Sequence, residues 1–286
     1  MLRGILVLRM KRWIAAALAL AAGAALGVAV ARALTSRELD EPIVSAALSG
    51  KVHVRVLLPA GYDSHPHARY PVVYFLHGLP ASSAAYRGND WLLDALQSAG
   101  RAILVMPQGA RDSDTDAEYL DWGAGRNWST YVAEEIPRWV DAHFRTLRSR
   151  SGRAIVGLSA GGYGATIVGL HHRGTFSVVE SWSGYFHATD PTGTKPLSLG
   201  PPASAHTLVR TLAADQRRLP TFFAFYVGSG DVRFRRENEQ LDAELRRAGV
   251  RHTFDVYPGA HETALWQRHA HAWLALALRH LAQAKG

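Results

Sequence analysis

Short apolar runs that stop at Gly, Pro, His or Ser alternate along this chain with longer stretches of helical periodicity. Lys51 to Leu58 places Val52, Val54 and Val56 on one face and Lys51, His53 and Arg55 on the other. Period two with β-branched residues predicts a half-buried strand near a sheet edge. Val72 to Leu76 is apolar throughout, the mark of a strand covered on both faces. Ala102 to Val105, Ala154 to Leu158, Ser177 to Ser181, Thr221 to Val227 and Arg251 to Tyr257 read as further strands. Trp91 to Ser98, Ser129 to Phe144, the apolar segment after Ser159, Glu237 to Ala248 and Thr263 to Ala282 read as helices. In the second of these Thr130 is a candidate cap, and Pro137 predicts a kink or a break. Strand–helix alternation of this kind predicts an α/β fold. Its central sheet is mainly parallel, helices cover both faces, and sites form at the C-terminal ends of the strands.

The remaining segments read as connections. Leu34 to Ser49 is polar and reads as a connector (34–50), so the folded domain is expected over 51–286. Pro59 to Arg69 is a turn-rich loop; its His65-Pro66-His67, with no carboxylate or third ligand, reads as solvated rather than metal-binding. Gln108 to Trp128 is too long for a plain connector, and its Tyr119, Trp122 and Trp128 point to an ordered loop on the rim of a site. Phe186 to Leu219 is rich in Pro, Gly, Thr and Ser around one weak helix near Ala203 to Ala214, which predicts a lid inserted near 186–219.

The N-terminus departs from this pattern. Arg3, Arg9, Lys11 and Arg12 precede Trp13 to Ala31, which is almost wholly Ala, Leu, Val and Gly. Residues 1–33 therefore read as a signal peptide or an N-terminal membrane anchor. Ala29-Val30-Ala31 offers a cleavage site, whereas an apolar run of about 18 residues is the minimum for a span, so cleavage stays open. The basic flank places the domain outside the cytoplasm in either case.

Composition removes several function classes. With no cysteine there is no disulfide framework, thiolate metal site or cysteine nucleophile. The formal charge of +8 shrinks once those four N-terminal cations are set aside, because 28 basic residues then face 24 acidic ones, a balance of +4. The basic residues of Arg235 to Arg247 are interleaved with Glu237, Glu239, Asp242 and Glu244, a solvated helix face rather than a phosphate-tracking stripe. Nucleic acid is not an expected partner, and no cofactor or metal is expected.

Candidate chemistry sits at the strand ends. Gly157-Leu158-Ser159-Ala160-Gly161 lies between a strand and a helix, the G-x-S-x-G context of a nucleophile elbow. A dinucleotide fingerprint would need glycine where Ser159 stands. The strand ending in Gly228-Ser229-Gly230 delivers Asp231, and the last strand is followed by His261 in Pro258-Gly259-Ala260-His261-Glu262. Ser, then Asp, then His is the triad order of an α/β-hydrolase. His261 would take the serine proton and Asp231 would orient the imidazole, with Glu237 and Asp255 as fallback acids. The strand closing in His77-Gly78 should supply one oxyanion amide from Leu79, and Ala160, the residue after the nucleophile, should supply the other. His77 itself reads as a residue that ties its loop.

Five stretches resemble the esterase D-like putative esterases, a family that includes the mycobacterial mycolyltransferases of the antigen 85 group. They are Phe75-Leu76-His77-Gly78-Leu79, Gly157 to Gly164, Ser183-Gly184-Tyr185, Gly228 to Asp231 and Pro258 to Glu262, and the helix at Trp128 to Phe144 is also similar. The resemblance runs from about Val52 to the C-terminus. It implies an α/β-hydrolase that acts on a small-molecule or lipid acyl ester as a serine hydrolase or acyltransferase, with an alcohol or sugar as an optional acceptor. Mycolyltransferases carry Asp-Gly where this chain has His77-Gly78, and glutamate as triad acid. A general acyl-esterase is therefore the nearer expectation. The alternatives are a non-catalytic cell-wall or matrix binding protein of the same fold and a peptidase of similar fold.

Overall fold

The computed structural model describes residues 36–112, 119–190 and 195–284. The segment read as a signal peptide or anchor lies outside the described residues, as do 113–118 of the aromatic loop and 191–194 of the predicted lid.

One eight-stranded sheet runs through the molecule in the order β1-β2-β4-β3-β5-β6-β7-β8. The strands are β1 Arg37–Ser45, β2 Gly50–Leu58, β3 Val72–Leu76, β4 Ile103–Pro107, β5 Arg153–Leu158, β6 Val178–Trp182, β7 Phe222–Gly228 and β8 His252–Tyr257. From β4 to β8 every pairing is parallel, whereas β1–β2 and β2–β4 are antiparallel. The helices are α1 Trp91–Ala99, α2 in three pieces from Trp128 to His143, α3 Ala160–His171, α4 Ala205–Asp215, α5 Arg235–Arg247 and α6 Thr263–Arg279.

The apolar runs are continuous because each strand serves two cores. In β3, Val73 and Phe75 face Leu92 and Leu96 of α1 and Leu265, Trp273 and Leu274 of α6. Val72, Tyr74 and Leu76 face the layer built from Tyr131 and Val140 of α2, Ile167 of α3, Leu212 of α4 and Leu241 of α5. Helices on both faces are what an α/β-hydrolase sheet requires.

Two segments depart from the sequence reading. The supposed polar connector at 34–50 contains β1, which pairs with the whole of β2, so β2 lies near the edge as expected but one strand in from it. β1 reads as polar because an edge strand gains its order from ladder hydrogen bonds more than from burial, and only Leu39, Ile43 and Ser45 turn inward, with polar Glu41 between them. Pro42 is tolerated at such an edge. Covered in this way, Arg55 of β2 is buried, and its guanidinium reaches Glu38 of β1 at 2.5 Å and Asp90 at 2.7 Å.

The second departure is in α2, where Pro137 does not produce the break that is one of the two expected outcomes. α-Helical Trp128–Thr130 passes through a π turn at Tyr131–Glu135 into α-helical Ile136–His143. Proline has no N–H for the carbonyl one turn back, and the widened turn lets the chain continue without that bond. Thr130 does not cap the helix. Asp121 does, its carboxylate accepting Thr130 N–H at 3.0 Å and Thr130 Oγ1–H at 2.7 Å.

Candidate active site

β5 is followed at once by Ser159, whose backbone stands at φ 54° and ψ −122°. A non-glycine residue is rarely held there, and the flanking glycines explain how it is tolerated. A Cβ at Gly157 would lie 2.1 Å from the carbonyl oxygen of Gly161, and one at Gly161 would lie 2.0 Å from that of Leu76. The strand and the incoming helix therefore cross in contact, and Ser159 is the residue turned outward at the crossing. Ser159 N–H donates to Trp182 O at 2.9 Å, which ties the turn to β6.

Asp231 and His261 come from the loops after β7 and β8. Asp231 is buried, and its Oδ1 accepts the backbone N–H groups of Arg233 and Phe234, both at 3.2 Å. Its Oδ2 lies 2.7 Å from His261 Nδ1, and His261 Nε2 lies 2.9 Å from Ser159 Oγ. With the imidazole proton on Nδ1, His261 donates to the carboxylate and its Nε2 accepts from the serine hydroxyl. The ring is held in place from two sides, by Phe234 and Trp266, each with its ring centroid 5.2 Å away. The fallback acids are elsewhere: Glu237 bonds His187 and His206, and Asp255 accepts from Tyr257 at 3.2 Å.

The two expected oxyanion donors flank the serine. Ala160 is the first residue of α3, where an N–H has no acceptor within the helix. Leu79 lines the same cleft as Ser159. Gly78 brings it there, since a Cβ at 78 would meet Ser159 Cβ at 3.0 Å. His77 is buried, its Nδ1 lies 2.9 Å from Gly78 O, and its carbonyl accepts Tyr119 Oη–H at 3.0 Å. Burial lowers its pKa, against the pull of the Gly78 carbonyl, so the ring ties this loop as a neutral group. Tyr119 thus belongs beneath the loop and is buried rather than exposed on a rim.

The cleft over Ser159 has a volume of about 590 Å³. Leu79, Pro80, Tyr185, Phe234 and Trp266 form its apolar wall, with Arg233 and Glu262 also lining it. None of the described residues of 186–219 lines it; α4 of that segment packs on the α2–α3–α5 side through Val209 and Leu212. Sequence reading passed over Arg233, Phe234 and Trp266. The available signal was their position, just after Asp231 and within the first turns after His261. Among the described residues no group of three His, Cys, Asp or Glu side chains is placed to hold a metal ion.

A family model described as putative esterase matches residues 45–274. The chain belongs to the putative esterase family. Within it, Esterase Rv1288 of Mycobacterium tuberculosis is 33% identical over 141 residues, which are 49% of this chain and 30% of that protein. The diacylglycerol acyltransferase/mycolyltransferase Ag85B of Mycobacterium leprae is 32% identical over 142 residues, 46% of this chain and 40% of that one. The matched stretch thus spans less than half the length of either relative. Among solved structures, a ferulic acid esterase superposes with a TM-score of 0.73 at 23% identity, covering 86% of this chain and 100% of the other. S-formylglutathione hydrolase (FrmB) of Staphylococcus aureus superposes at 0.70 with 19% identity, covering 84% and 99%. These likenesses extend the α/β-hydrolase fold over most of this putative esterase.

Proposed function

We propose that this chain is a serine carboxylic-ester hydrolase or acyltransferase that forms an acyl-enzyme on Ser159. The observation that carries the proposal is the hydrogen-bonded line from Ser159 Oγ through His261 to Asp231, at 2.9 and 2.7 Å. A free serine is a weak nucleophile, so its proton must leave as the Oγ–C bond forms. His261 Nε2 takes that proton, and Asp231 stabilises the imidazolium. The tetrahedral oxyanion is held by the N–H groups of Leu79 and Ala160, each worth about 10²–10³ in rate by analogy with known oxyanion holes. His261 then returns the proton to the departing alcohol. Water, or a second alcohol or sugar in the cleft, attacks the acyl-enzyme by the same steps in reverse. The acyltransferase name of the Ag85B relative supports keeping the transfer branch.

Export remains part of the proposal on the basic and apolar pattern of residues 1–33. Among the described residues no helix is long and apolar enough to cross a membrane. N-terminal sequencing of the protein from its own cells distinguishes a cleaved signal from a retained anchor.

The test of the chemistry is a fluorophosphonate label and p-nitrophenyl ester turnover on wild type and Ser159→Ala. Labelling at Ser159, and loss of turnover by at least about 10³-fold in a variant of near-wild-type Tm, are expected. Unchanged turnover in the variant overturns the assignment, and an unlabelled, inactive wild type favours a binding protein of the same fold. Product analysis with added alcohol separates transfer from hydrolysis.

A further inference from the structure

Two charged side chains share the cleft with Ser159, and their surroundings differ. Glu262 turns Oε1 back onto its own loop, accepting Ala260 N–H at 3.2 Å. Arg233 is exposed and forms no ion pair among the described residues, although nearby Arg235 is paired with Glu239 at 2.8 Å. Arg233 is also well placed. Its backbone N–H bonds the triad carboxylate of Asp231 at 3.2 Å, and its guanidinium lies 4.9 Å from the ring centroid of Phe234. That ring is in turn 5.2 Å from the imidazole of His261 and 4.9 Å from Tyr185. A cation therefore rests on the aromatic wall of the cleft, next to the ring that packs on His261, with no carboxylate paired to it among the described residues.

We propose that Arg233 is a specificity residue that selects esters carrying a carboxylate group away from the scissile bond. The proposal rests on the reading of Ser159 as the nucleophile and adds a substrate class to it. A single guanidinium that shares its cleft with Glu262 suits a monoanion. The second charge of a phosphate would find no second Lys or Arg among the described residues that line the cleft. Stacking on Phe234 limits the conformations the guanidinium must give up on pairing, and a bound acyl chain displaces water around it, so the pair gains more than an isolated surface pair does.

The experiment compares kcat/KM for two matched ester pairs on wild type, Arg233→Gln and Arg233→Lys. In the first pair the charge is on the acyl side: the mono-p-nitrophenyl esters of adipic and suberic acid against their methyl-capped neutral counterparts. In the second it is on the leaving group: 3-carboxy-4-nitrophenyl hexanoate against 4-nitrophenyl hexanoate. In at least one pair, wild type is expected to favour the anionic member by about threefold to tenfold after correction for the uncatalysed rates. That ratio should fall toward one in Arg233→Gln, be partly kept in Arg233→Lys, and shrink for wild type in ~0.5 M salt. Because it is a ratio within one preparation, it does not depend on how much of a variant is folded. Ratios near one in both pairs on wild type, or a preference that survives Arg233→Gln, overturn the proposal while leaving the esterase reading intact. No turnover of any of these esters by a folded wild type overturns the esterase reading and this proposal with it.

Discussion

Asp231 does two separate jobs with its two oxygens, which makes its amide variant informative. Oδ1 accepts two backbone N–H groups, and Oδ2 faces His261 Nδ1. In Asp231→Asn the amide oxygen is expected to keep the two backbone donors, which leaves the NH₂ pointing at Nδ1. The imidazole must then carry its proton on Nε2, where it cannot accept from Ser159. Ester turnover should fall by about 10²–10⁴ with the fold unchanged; a fall of less than tenfold in kcat would show that Asp231 does not set the tautomer.

A second carboxyl, Glu180 of β6, shows the opposite use of burial. It is fully enclosed, its Oε2 accepts Trp182 Nε1–H at 3.1 Å, and Oε1 has no hydrogen-bond partner among the described residues. Burial raises its pKa well above the carboxylate range, and the Trp182 bond and the charge of Arg279 only partly oppose this. Because the native value lies above the unfolded value of ~4.3, native stability is full below that pH and falls as pH rises toward the native value. Glu180→Gln removes the titration, so the Tm of the variant relative to wild type should increase between pH 5 and pH 8. A difference independent of pH would mean that Glu180 is not protonated in the native state.

At the scale of elements, the segment after β6 is fastened to α5 by charge. His187 and His206 of α4 both bond Glu237, and His206 Nδ1 bonds Glu244 at 2.7 Å. Burial, the largest single influence, opposes the charge on His206, but the hydrogen bonds and charges of Glu237 and Glu244 together outweigh it and raise the pKa. Burial likewise opposes the charge on Glu237, and the two histidines together lower its pKa nonetheless. The contribution of His206 is therefore full below its unfolded value of ~6.5 and is lost as pH rises through the raised native value. That of Glu237 is present above ~4.3 and is lost as pH falls through the lowered one. The fastening is strongest between those limits. His206→Gln should lower Tm more at pH 6 than at pH 9; an equal loss at both would show that the contact holds without the proton. None of this cluster was legible along the chain, where Glu237 is 50 residues from His187 and 31 from His206.

At the scale of the whole molecule, β3, β5, β6 and β7 are paired on both sides and covered on both faces, while β1 closes one edge with most of its outward side chains in water. Amide exchange should therefore be slowest in those central strands and fastest in β1. Protection of β1 equal to that of β5 would show that the sheet opens only as a unit.

What could be read from the chain alone follows from local rules. Continuous apolar runs marked the inner strands because a parallel strand between helix layers has no wet face. Ser159 and Asp231 stood out because each follows such a run, and His261 because it follows the last strand; all three sit in Gly-rich turns, where a side chain can leave the sheet. Local rules fail where order or charge depends on a distant partner. β1 looks polar until β2 supplies its hydrogen bonds, Pro137 looks like a break until a π turn absorbs it, and Arg55 looks exposed until β1 covers it. The amino-acid sequence thus determined the α/β alternation and which residues are candidates for the reacting groups. Only tertiary structure decided the distances among them, the aromatic wall of Phe234 and Trp266 that frames His261, and that Arg233 lines the cleft over Ser159. Those depend on chain segments brought together after collapse, and no local periodicity encodes them.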